Sequence, residues 1–206
     1  MKNEIASLME KHLKMDIHEY FSQPIQIRLD LFPTIFKYIV DRDDFNDFHT
    51  DNPYEGIPKL KEYIAQNPER QKRVDEFMQT MHDLQHKHIQ KHPEIALKNI
   101  NRESISHFID YTFNIQEPET LFYNTKVNFP YIEHICEVFT GFKYDKNHER
   151  FVTHIADYPG MKIFLPCSTV YEMGSLDALI SLLHKIIESM ELQIERFYHS
   201  IENDKM

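Results

Sequence analysis

Glycine is scarce in this sequence, and that scarcity limits the folds the chain can adopt. Only four glycines occur among 206 residues, at Gly56, Gly141, Gly160 and Gly174. No two of them lie close enough to form a phosphate-binding loop of the P-loop or dinucleotide type. Folds rich in tight turns draw on glycine for positive φ angles. The sequence therefore predicts a mainly α fold and excludes nucleotide binding through glycine-rich turns.

The clearest predicted helix covers residues 174–203. Apolar side chains recur there every three or four residues, at Leu176, Leu179, Ile180, Leu183, Ile186, Ile187, Met190, Ile194, Phe197 and Ile201. Such a seam is typical of a helix in the core of a bundle, and equally of a helix that pairs with a second copy of itself. We therefore expect either a core helix or a dimerisation element in this segment.

The whole chain is predicted to form one helical domain, residues 1–206. Apolar periodicity and capping residues predict further helices, at residues 3–21, 33–41, 67–91, 130–140 and 145–157. Residues 157–160 are typical of a turn. Residues 161–165 and 168–171 are the most strand-like part of the chain, so a small β-hairpin is predicted near residues 161–171.

Charge and cysteine content indicate the setting and exclude some partners. The net charge is −10, and the acidic excess lies in both flanks, so direct binding to nucleic acid is not expected. Cys136 and Cys167 form no Cys-x-x-Cys pair, which predicts neither a disulfide framework nor a cysteine zinc site. No apolar run has the length of a signal peptide core or a membrane span. We therefore expect a cytoplasmic protein with no membrane contact.

Four histidines within eleven residues form the main candidate for chemistry: His82, His86, His88 and His92. On a helix, His88 and His92 would share the apolar face of residues 74–84, whereas His82 and His86 would lie at its boundary. An i,i+4 histidine pair can bind one divalent metal ion, given further ligands. The candidates for those ligands, which the sequence does not rank, are His49, His107, Asp110, His134, His148 and His154. The alternative is that these histidines only pack and are partly solvated.

The adjacent pair His82-Asp83, followed by His86, resembles the His-Asp pair of the HD-type metal-dependent phosphohydrolases, which are all-helical enzymes. The resemblance implies that His82 and Asp83 meet a divalent metal ion such as zinc, manganese or iron. It also implies outer ligands from an upstream histidine and a downstream aspartate, for which His49 and Asp110 are the candidates. In such a site the metal ion would lower the pKa of bound water and produce a hydroxide nucleophile.

A second resemblance involves Arg102 and His107, whose Arg-x4-His spacing is similar to that of HEPN-type ribonucleases. It implies that the two side chains act on an RNA phosphate. Cys167, which follows Pro166, is expected to be a small buried thiol rather than a nucleophile.

Two hypotheses about function follow. The leading hypothesis is a soluble, acidic helical protein that binds a protein partner with a basic surface, through acidic segments such as residues 41–52, and that pairs as a homodimer through residues 174–203. It depends on the absence of a complete catalytic constellation. The competing hypothesis is an HD-like phosphohydrolase that uses His82, Asp83 and His86.

Overall fold

The computed structural model describes residues 1–40, 61–167, 170 and 173–203. The fold is mainly α, as the sequence predicts, with one small antiparallel sheet. We number the helices α1 (Lys2–Leu8), α2 (Ile17–Ser22), α3 (Ile25–Val40), α4 (Pro68–Lys91), α5 (Pro93–Asn99), α6 (Arg102–Phe113), α7 (Thr125–Thr140) and α8 (Leu176–Asn203). A π-helical turn covers Met9–Leu13, a 3-10 helix covers Pro118–Phe122, and residues 61–65 are also helical.

The chain divides into two compact units, Met1–Leu84 and Gln85–Met206, and the boundary falls inside α4. The expectation of a single domain over residues 1–206 stays a prediction.

The first unit begins with two short helices rather than the one predicted over residues 3–21. Lys14 adopts a left-handed conformation with φ of 58°, which ends the first helical stretch. Asp16 then starts α2 with a capping box, in which its side chain accepts from Glu19 N and the Glu19 side chain accepts from Asp16 N. The core of this unit contains Ile5, Met9, Tyr20, Phe21, Ile35, Ile39, Phe77 and Met81.

Two prolines have different roles from those predicted. The predicted helix start at Pro33 is wrong, because α3 begins at Ile25 and contains Pro33 in its interior. The predicted start at Pro130 is also wrong, since α7 begins at Thr125 with Asn124 as its cap. In both cases apolar side chains before the proline continue the buried face, so packing outweighs the lost hydrogen bond. By contrast Pro93 does separate two helices, because α4 ends at Lys91 and α5 begins at Pro93.

The sheet has three strands in the order β1 (Lys143–Asp145), β2 (Arg150–Ile155) and β3 (Tyr158–Pro166). The strand prediction for residues 161–165 is confirmed, and residues 168, 169 and 171 lie outside the described residues. The predicted helix over residues 145–157 is wrong, because Phe151, Thr153 and Ile155 alternate with less buried neighbours, as in a strand with one face on the core. The turn predicted at residues 157–160 begins one residue too far along the sequence, since the chain reverses at Ala156 and Asp157.

Helix α8 has a first half with buried side chains and a second half without them. Its buried residues are Leu176, Leu179, Leu183, Ile186, Ile187 and Met190, all in the first half, where the helix belongs to the core of the second unit. From residue 191 to residue 203 no side chain is buried. Along its length α8 contacts α5, α6, α7 and β3.

Candidate functional sites

His86 is 2% exposed and lies in a buried polar network of the second unit. Its Nε2 is 2.8 Å from the carbonyl oxygen of His154, which also accepts a hydrogen bond from Gln90 Nε2 at 2.8 Å. Gln90 Oε1 accepts from Ala156 N at 2.8 Å, which fixes the orientation of the amide. Nε2 of His86 also lies 2.8 Å from Gln90 Nε2, so the tautomer of the ring decides whether this nitrogen donates to the carbonyl oxygen or accepts from the amide.

The other side of the His86 ring faces Gly141 and Thr153. Thr153 Oγ1 is 3.4 Å from His86 Nδ1, and it donates to the carbonyl oxygen of Gly141 at 3.1 Å. A Cβ atom at Gly141 would collide with Nδ1 of His86. The network therefore fastens the end of α4 to β2 and to the end of α7, and it occupies the ring nitrogen that points at His154.

The residues of the HD-like prediction lie in two different environments. His82 and Asp83 lie together, with Nδ1 of His82 3.7 Å from Oδ1 of Asp83, and the Asp83 carboxylate accepts from Gln79 Nε2 at 2.8 Å. His86, expected at the boundary of the apolar face, is instead in the buried network. Binding of an ion by His86 Nε2 would require loss of the hydrogen bond that this nitrogen makes. Asp110 is exposed near the end of α6, and His49 lies outside the described residues. This site stays a prediction.

The remaining candidate ligands are spread over the second unit. His154 is the one whose ring contacts that of His86, with centroids 4.7 Å apart. His148 Nδ1 is 2.7 Å from Oδ2 of Asp145. His134 packs beside Phe108 and Phe113, and desolvation lowers its pKa although Glu137 acts in the opposite direction.

The Arg102 side chain makes structural ion pairs. Its Nη1 donates to Glu119 at 3.0 Å and its Nη2 donates to Asp177 at 2.9 Å, which links α6 to the 3-10 helix and to the start of α8. His107 is half-buried, with its ring centroid 6.3 Å from that of Tyr111. An RNA phosphate at Arg102 would have to displace two carboxylates, so the geometry does not favour the HEPN-like role.

The second half of α8 and strand β3 together carry exposed apolar side chains. Tyr158 contacts the rings of Phe197 and Tyr198, at centroid distances of 5.1 and 6.0 Å, and Gln193 Nε2 lies 3.4 Å from the Phe164 carbonyl oxygen. The strand therefore runs beside the helix in the opposite direction. We call the exposed surface of these two elements the β3–α8 face and define it by five side chains that are 38–54% exposed, of which Tyr158 and Tyr198 are in contact: Tyr158, Met161, Phe164, Leu192 and Tyr198.

The α8 part of the β3–α8 face has an acidic border, whereas on the β3 part the Arg150 guanidinium lies 4.1 Å from the centroid of the Phe164 ring. Residues 188–203 contain four glutamates, Glu188, Glu191, Glu195 and Glu202, against one arginine, Arg196, and all four glutamates are exposed. Desolvation and the nearby Asp157 raise the pKa of Tyr198, and its phenol, like that of any tyrosine at neutral pH, keeps its hydrogen-bond donor. The face therefore combines apolar area, aromatic hydroxyl groups and negative charge.

Sequence reasoning did not find this face. A signal was present, because Leu192 and Tyr198 fall outside the regular apolar seam of residues 174–203. What the sequence did not reveal was that β3 lies beside the same half of the helix. The acidic residues 41–52, predicted as a partner contact, lie outside the described residues.

The comparisons with known proteins give no family for this chain. Searches against protein-family models, curated proteins and solved structures found no match. None of the helices in the described ranges combines the length and the apolar composition that crossing a membrane requires.

Proposed function

We propose that this protein acts by binding another protein through the β3–α8 face, and that the partner offers a basic surface with apolar side chains. The observation that carries the proposal is the group of five large apolar side chains, 38–54% exposed, on two adjoining elements. Two tyrosines, a phenylalanine and a methionine are among them, and these residue types are enriched in protein interfaces.

The apolar side chains supply the driving force for association. Complete burial of one large apolar side chain contributes about 1.5–3 kcal/mol, and these side chains have about half of their surface left to bury. Each therefore contributes roughly 1 kcal/mol before the entropic cost of association is subtracted. Leu192 and Phe164 are the expected centres, because truncation there removes apolar contact without disturbing a buried residue.

The acidic border decides between a basic partner and a second copy. In a homodimer through this face, the glutamates of residues 188–203 would meet the same glutamates of the other copy, and like charges across an interface are unfavourable. A basic partner would instead be attracted, and its association would weaken as salt is raised. We therefore propose a basic protein partner in place of the homodimer through residues 174–203.

The cytoplasm is the proposed compartment. Cys136 is buried and both cysteines are free thiols, which agrees with a reducing environment. The HD-like phosphohydrolase has no specific observation in its favour, because His86 is engaged with His154.

Site-specific photo-crosslinking in cells tests this proposal. Leu192 is replaced by the photoreactive residue p-benzoylphenylalanine in the full chain, and Val127, which is 69% exposed on α7, carries the same residue as a matched control. We expect one discrete adduct from position 192 and none from position 127. Lysine substitution of Glu191 and Glu195 should remove that adduct.

Three outcomes would contradict the proposal. They are the absence of an adduct at position 192, equal adducts at both positions, and an adduct with the mass of two copies of this chain. The last outcome would assign the face to a homodimer.

A further inference from the structure

The end of α4 holds two histidines one helical turn apart, His88 and His92. His92 N donates to the His88 carbonyl oxygen at 2.9 Å, so the last helical hydrogen bond fixes their relative position. Their ring centroids are 5.0 Å apart with an interplanar angle of 41°, and a ring nitrogen of one lies within 4.8 Å of a ring nitrogen of the other. The two imidazoles therefore present nitrogens to one small volume.

A carboxylate lies beside His92 because of Pro93. The proline ends the run of helical hydrogen bonds, and His92 becomes the N-cap of α5, with φ of −136° and ψ of 59°. The turn brings Glu94, the second residue of α5, back toward His92, with Oε1 of Glu94 3.6 Å from His92 Nδ1. The break in the helix therefore supplies a carboxylate oxygen, which is a hard ligand, in addition to the two imidazole nitrogens.

We propose that His88, His92 and Glu94 bind a divalent transition-metal ion of the zinc, cobalt and nickel class. Bonds of about 2.1 Å in a tetrahedral site place ligand atoms roughly 3.4 Å apart, so the three side chains have to rotate to close around the ion. Two imidazoles with one carboxylate suit ions of borderline softness. This site is distinct from the predicted one at His82, Asp83 and His86.

The exposure of the three groups fits a site that an ion can enter. His88 is 9% exposed and forms the inner side, whereas the side chains of His92 and Glu94 are 36% and 62% exposed. An inner ligand held by packing and outer ligands open to solvent give both orientation and an entry path.

Titration with cobalt(II) tests the site, because the absorption bands of the bound ion report the number and type of its ligands. The full chain is prepared without a histidine tag, treated with a chelator and titrated with the metal alone. We expect 1:1 binding to wild type, displacement by zinc, and at least about tenfold weaker binding in His92→Gln, which corresponds to about 1.4 kcal/mol. Glu94→Gln should weaken binding in the same direction and change the absorption bands.

The variants are chosen so that loss of binding is not loss of folding. His92 and Glu94 are partly exposed, and unchanged far-ultraviolet circular dichroism of both variants would show that the helices persist. His199→Gln is the matched control, since His199 Nδ1 also lies 3.8 Å from a glutamate oxygen, of Glu202, on an exposed helix face. That control should bind like wild type.

Other results would overturn the site. Wild type without a cobalt spectrum at millimolar metal would do so, as would His92→Gln with wild-type affinity. A His82→Gln variant that loses as much affinity as His92→Gln would assign the ion to the predicted His82 site instead.

Discussion

Gly141 is a backbone position on which the buried histidine network depends. It ends α7 with φ of +75°, a conformation that residues with a side chain rarely adopt, and a Cβ atom there would meet the ring of His86. The sequence predicted the end of this helix at residue 140. The close approach of His86 was not predictable, because it depends on a strand about 70 residues away in the sequence folding over α4.

Substitution of Gly141 by alanine should be destabilising for two reasons at once. The left-handed conformation costs about 1 kcal/mol for alanine, and displacement of the His86 ring adds about 1–3 kcal/mol. Chemical denaturation followed by circular dichroism measures the loss. Gly160→Ala is the control, because nothing lies within 4 Å of a Cβ atom there. Equal stability of the two variants would contradict the account of the network.

The Asp157 carboxylate makes the stability of the folded state depend on pH. Its hydrogen bond with Lys87 is the main cause that lowers its pKa from the ordinary 3.8. A carboxylate with a lowered pKa stabilises the folded state above about pH 4, and this contribution is lost as the pH falls through the lowered value.

Asp157→Asn should therefore lower stability at pH 7 by at most about 0.5 kcal/mol, since the ion pair is partly exposed and screened by solvent. The difference from wild type should shrink as the pH falls below about 4 and through the lowered pKa, and also in 1 M salt. Denaturation midpoints of both proteins over a series of pH values from about 7 to about 2 measure this. A difference that does not change over this range would mean that the aspartate contributes through packing rather than charge.

At the scale of elements, the sequence was a good guide to helices and a poor guide to the sheet. The N-cap at Asn67 is present, with its side chain accepting from Glu69 N and Arg70 N, because capping depends on neighbouring residues only. Residues 150–155 were predicted as helix although Phe151, Thr153 and Ile155 alternate. Six residues are too few to separate the two periodicities, and the strand is stabilised by pairing with β1 and β3, which are nonlocal.

The division of α8 into a core half and an exposed half gives a direct comparison between two leucines. Leu183 is 0% exposed and Leu192 is 54% exposed on the same helix. Leu183→Ala should cost about 2–5 kcal/mol, because it leaves a cavity in the core, whereas Leu192→Ala should change stability by less than about 0.5 kcal/mol. Thermal denaturation of both variants measures this. A large loss from Leu192→Ala would show that this side chain is needed for folding rather than available for binding.

At the scale of the whole molecule, charge and exposed apolar area point to the same kind of partner. The chain has a net charge of −10, and the exposed apolar side chains of the second half of α8 lie among exposed glutamates. The sequence predicted an acidic protein that binds a basic surface, but it placed the contact at residues 41–52 and left open whether the 174–203 helix lies in a core or pairs with a second copy. Apolar periodicity could not identify the exposed side chains of the β3–α8 face. The exposure of β3 depends on which side of the strand α8 covers, and the sequence does not reveal this.

The most direct test of the central claim is the yield of the adduct formed from a photoreactive residue at position 192, compared between two charge reversals of equal size. We predict that Glu191→Lys with Glu195→Lys reduces the yield about tenfold. Glu10→Lys with Glu76→Lys, which changes the net charge equally but lies in the first unit, should leave the yield close to wild type. Equal reductions by both pairs would contradict binding of a basic partner at the β3–α8 face.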